Sequence, residues 1–82
     1  MKYIFYERHW ETALTQEVAT AVIRDGQVDW FGSDERISEM KDFLRTLRMD
    51  LGVYFDPTDE EHWARLPTKV GGSRLWVVEK EL

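Results

Sequence analysis

The first patterned stretch of the chain is "KYIFYER", where Tyr3, Ile4, Phe5 and Tyr6 stand between charged residues. Aromatic and β-branched side chains fit a pleated surface, so this run predicts a first strand over residues 2–8. Successive strand residues point to opposite faces, so Tyr3 and Phe5 go to one face and Ile4 and Tyr6 to the other. Both faces of the sheet therefore receive apolar surface.

The next stretch, "ETALTQEVATAVIRDGQVDWFG", supports two readings. Leu14, Val18, Ala21 and Val22 fit one face of a helix over residues 13–24, with Gly26 beyond its end. Asp25-Gly26 between Val22-Ile23 and Val28-Trp30 is instead the signal of a two-residue hairpin. The β-branched residues after Glu17 favour the hairpin.

A helical pattern follows. Ser33 is a natural N-cap, and Asp34 and Glu35 sit in the positively polarised first turn. Ile37, Met40, Phe43, Leu44 and Leu47 recur every three or four residues, which predicts one amphipathic helix over residues 34–50 closed by Gly52. Residues 53–55, "VYF", are either a short strand or an approach to a second helix. Pro67 and Gly71-Gly72 then break the chain before Leu75–Val78, a last strand. The expectation is a single α+β domain over residues 1–82, with an antiparallel or mixed sheet of about three to four strands. One main amphipathic helix crosses one face of it, and a short second helix accompanies it.

Composition narrows the class. The chain has 82 residues and no cysteine, so neither disulfides nor thiolate metal sites can supplement its small core. Four Trp, four Phe and three Tyr are the main packing material. "MKYIFYERHW" is interrupted by charge too early for a signal-peptide core, and no run approaches a membrane span. A soluble cytoplasmic protein is expected, with no membrane partner. The net charge is −5, with no basic arm or patch, which argues against direct nucleic-acid binding.

The densest cluster of reactive side chains is "DPTDEEHW", residues 56–63. Proline suits the first position of a helix, so Asp56 can cap a helix starting at Pro57; alternatively, Thr58 caps it and Glu61 completes a capping box. Acids in such a first turn are each stabilised by ~0.3–1 kcal/mol. The chemical reading makes Asp59, Glu61 and His62 a site together with His9, because two imidazoles and an acid can run acid–base chemistry or hold a metal. No HExxH or EF-hand spacing supports a metal, and no cofactor is expected. Gly71-Gly72-Ser73-Arg74 lacks a P-loop's spacing and reads as a turn.

Tryptophan is the remaining signal. Trp63 and Trp76 suit the core, while Trp10 and Trp30, with Tyr3 and Phe5, suit an aromatic sheet surface for binding. The expected function is thus that of a small non-enzymatic binding or regulatory protein, whose partner is another protein or a second copy of itself. Two alternatives stand beside it: a small hydrolase or nuclease using His9 and His62, and an acidic inhibitor that imitates nucleic acid.

Overall fold

The computed structural model describes residues 1–9, 11–12, 14–71 and 75–81. Five strands form one antiparallel sheet: β1 (Lys2–Arg8), β2 (Thr15–Arg24), β3 (Gln27–Gly32), β6 (Lys69–Gly71) and β7 (Leu75–Glu81), in the order β3-β2-β1-β7-β6. A second sheet of two strands pairs β4 (Arg48–Asp50) with β5 (Val53–Tyr54). The helices are α1 (Asp34–Arg45) and α2 (Glu60–Arg65).

This corrects the expected fold. The sheet has five strands rather than three to four, a second sheet is present, and α1 is 12 residues long rather than a dominant helix reaching Asp50. The periodic stripe overstated α1 because its last apolar member lies beyond the helix end. Thr46 caps the helix, its hydroxyl donating to the Phe43 carbonyl at 2.7 Å. Leu47 then packs against the core from outside the helix, and its carbonyl accepts from the Phe55 N–H at 2.7 Å. Gly52, at φ 80°, turns the β4–β5 hairpin instead of closing a helix. Strand β6 escaped notice because Val70 is its one buried residue and three residues carry no period.

The segment between residues 15 and 32 is the hairpin. Asp25 and Gly26 have φ of 51° and 76°, the two positive values that a tight turn between twisted strands requires. Beyond it, Ser33 caps α1 by accepting from the Arg36 N–H at 3.3 Å.

One face of the five-stranded sheet is covered. Tyr3 and Phe5 of β1, Ala19, Ala21 and Ile23 of β2, and Trp76 and Val78 of β7 are buried there beneath Met40 and Leu44 of α1 and Trp63 of α2. Trp63 is the hub. Its ring lies 5.1 Å from Tyr3, 6.4 Å from Phe5, 6.1 Å from Trp30 and 5.0 Å from Phe55. The six-residue α2 thus supplies the centre of the core, a role the longer α1 was expected to fill.

Candidate functional site

The segment 56–63 is built from its backbone outward. The Asp56 carboxylate accepts from the Thr58 N–H at 2.9 Å and from the Thr58 hydroxyl at 2.7 Å. Those two bonds hold its pKa below the ordinary carboxylate range. They also fix Pro57 and Thr58 in a turn, so α2 cannot begin at Pro57. The helix starts later, with Asp59 as N-cap accepting from the Glu61 N–H at 2.9 Å. Neither Asp56 nor Thr58 is the cap, because the turn they make together occupies the residues a cap would precede.

His62 is held in the same turn. Its Nδ1 accepts from the Asp56 N–H at 2.9 Å, so that nitrogen is already occupied, and Nε2 faces Asp59 Oδ2 at 3.6 Å. The acids around it are also engaged: Glu60 accepts from the Gly26 N–H at 3.0 Å, and Glu61 pairs with Arg65 at 3.0 Å. His9 lies just past the far end of β1, roughly 20 Å from Tyr3 at ~3.3 Å per residue. His62 instead directly precedes Trp63, which packs on Tyr3 and Phe5 within β1 rather than past its end. His9 borders a shallow groove with Glu7, Thr12 and Thr15, and His62 is not part of it. Among the described residues, no three of His, Asp and Glu converge as a ligand set.

The expected aromatic surface is displaced to the other side of β1. Tyr3 and Phe5 are fully buried, and Trp30 stacks on Phe5 at 5.8 Å with 26° between the rings. These three belong to the covered face and hold the helices. Tyr3 and Phe5 offer a partner little, since burial has already used their surface, whereas Trp30 is only partly buried. Trp10 lies outside the described residues, as do Gly72, Ser73 and Arg74.

Among the described residues the opposite face carries no helix, and sequence alternation assigns its members. Paired rows run Val22–Lys2–Glu81, Thr20–Ile4–Glu79 and Glu17–Tyr6–Val77, followed by Thr15–Arg8–Leu75. Val22, Ile4, Tyr6, Val77 and Leu75 thus form an apolar diagonal from β2 to β7, with exposed Phe31 beside Thr20. Among the described residues, four acids (Glu17, Asp29, Glu79, Glu81) and four bases (Lys2, Arg8, Arg24, Lys69) stand around it. This face is therefore charge-neutral in a chain of net charge −5. Lys2 pairs with Glu81 at 3.6 Å, and the Tyr6 hydroxyl donates to Glu79 at 3.0 Å, which raises the Tyr6 pKa. The tyrosine hydroxyl is thus tethered from β1 to β7.

Sequence reasoning missed Ile4, Tyr6, Val22, Val77 and Leu75 as a group. The alternation of the Tyr3–Tyr6 run was the signal for the first two; the strand order that gathers the others is a tertiary fact. The chain matches no known family model, no curated protein and no solved structure. Among the described residues, no helix is long and apolar enough to cross a membrane.

Proposed function

We propose that this chain is a small cytoplasmic binding protein that self-associates through the open face of its five-stranded sheet. One observation carries the reading: an apolar diagonal framed by equal numbers of acids and bases on an otherwise acidic protein. A two-fold interface sets a patch against itself, so a patch of one sign would repel its copy, whereas a patch of both signs can match it. Phe31, 57% exposed, extends the apolar area toward the β3 edge. Leu75 is exposed at the other end, and the half-buried Ile4, Tyr6, Val22 and Val77 make the patch continuous, as interaction surfaces tend to be.

Sedimentation equilibrium over a concentration range of about 5–500 µM tests the proposal, because a self-associating chain shows a mass above that of one chain, rising wherever the range spans its Kd. Ile4→Lys places a cation in the middle of the diagonal. Within the monomer that lysine stands opposite Glu79 and Thr20, so the strand keeps a favourable cross-strand pair. The expected result is a dimer for the native chain and a folded monomer for Ile4→Lys. A native mass equal to one chain across the whole range overturns the proposal.

A further inference from the structure

A second site lies on the helix side of the sheet, away from the open face. The β2–β3 turn, the second half of α1 and the Pro57-Thr58 turn enclose a cleft of about 280 Å³. Its apolar lining comes from Val28, Trp30 and Leu44, and Lys41 and Arg45 stand on its α1 side. The walls are fixed at both ends. Gly26 is bonded to Glu60 at 3.0 Å, and Asp56 locks the turn at Thr58. Trp30 rests on Phe5 and Trp63, so the part of its indole that remains exposed is rigidly presented to the cleft.

The electrostatics of the lining run against those of the chain. Both of its charged side chains are cationic, on a protein of net charge −5. Among the described residues Lys41 makes no ion pair. Arg45 has only Asp42, at 3.4 Å, with both side chains 71% exposed, a geometry in which the pair is weak. Two acids tied to the cleft wall are already committed, Glu60 to the Gly26 N–H and Asp56 to Thr58. Apolar lining with a few convergent polar groups is the usual make-up of a small-molecule site, and this cleft lies just below the usual range of size.

We infer that the cleft binds a small planar aromatic carboxylate, its ring against Trp30 and Leu44 and its carboxylate toward Lys41 and Arg45. Arginine and lysine recognise carboxylates by charge-assisted hydrogen bonds, and a partly enclosed site strengthens them. The ligand has one or two rings, since the cleft holds no more. It binds without disturbing the open face of the sheet, so a dimer carries two sites.

The test is a titration of the ¹⁵N-labelled full chain with 2-naphthoate, following the Trp30 indole N–H and the backbone amides of Val28, Leu44 and Thr58. Saturable shifts at these four probes are expected, with a Kd of about 0.1–1 mM, the range open to a two-ring ligand. Lys41→Gln and Arg45→Gln keep good helix formers on an exposed helix face, and each should weaken binding about threefold or more. The neutral alcohol 2-naphthalenemethanol should bind more weakly than the carboxylate by a similar factor. Absence of saturation at about 10 mM, shifts centred on other residues, or equal affinity for the alcohol overturns the inference.

Discussion

The Tyr3 hydroxyl donates a 2.9 Å hydrogen bond to the Trp63 carbonyl, tying the first strand to the second helix across 60 positions of chain. The same two rings pack 5.1 Å apart, so one contact supplies both apolar burial and a polar lock. Burial raises the Tyr3 pKa above its ordinary value. The relationship explains how a helix of six residues can be ordered at all: it is held from the sheet.

Tyr3→Phe removes the lock and keeps the ring. The Trp63 carbonyl also accepts from the Leu66 N–H at 3.1 Å, so it does not become a bare buried acceptor. The expected loss is therefore that of one net hydrogen bond, about 0.5–1.5 kcal/mol by urea denaturation. A loss above about 3 kcal/mol would mean that the carbonyl depends on Tyr3 alone.

Two buried tryptophans should respond differently to the same substitution. The Trp63 indole N–H donates to the Pro57 carbonyl at 2.8 Å, whereas the Trp76 indole N–H is buried without a partner among the described residues. Phenylalanine at 63 loses volume and a bond; at 76 it loses volume but removes an unsatisfied donor. Trp63→Phe is expected to be the more destabilising by about 1–2 kcal/mol in parallel denaturant melts. Equal losses would show that water reaches the Trp76 nitrogen.

The Asp56 turn gives stability a specific pH dependence. A carboxyl whose folded pKa is lowered contributes fully above the unfolded value of about 4, and the contribution fades as pH falls through the folded pKa. Asparagine at 56 can still accept from Thr58 but does not titrate. Between about pH 5 and pH 2, wild type should lose more stability than Asp56→Asn, measured by thermal melts at each pH. Parallel curves would remove the turn from the acid response.

Glu7 and Arg36 join β1 to the first turn of α1 by an ion pair, with both side chains 29% exposed. Glu7 holds the Arg36 guanidinium more firmly protonated than usual. Glu7→Gln weakens that contact between the exposed and buried limits for ion pairs, so about 1–2 kcal/mol is expected. Amide exchange in α1 should accelerate along with the global loss. An unchanged midpoint would place the pair among solvated surface contacts.

Local features were legible where the reason for them is local. The β1 run, the Asp25-Gly26 turn and the Ser33 cap all lie where side-chain shape or backbone conformation decides within a few residues. The end of α1 and the start of α2 were not legible, because Thr46 closes α1 before the last apolar residue of its stripe and Asp59 caps α2 in place of Asp56 or Thr58. The two histidines were hard to place for a different reason. Two His-Trp dipeptides look alike in sequence, but His62 is set in the Asp56 turn while His9 lies past the end of β1.

The sequence by itself determined that β1 would carry apolar side chains on both faces, since alternation is a property of any strand. It also determined the acidic balance, the absence of cysteine and the aromatic material of the core. Only the tertiary structure decided which face would be covered. Trp63 chose it by packing on Tyr3, Phe5 and Trp30, so Ile4 and Tyr6 were left on the open side. The strand order then set Val77 and Val22 beside them. No short-range pattern encodes that neighbourhood, because β7 reaches β1 only when the two ends of the chain meet.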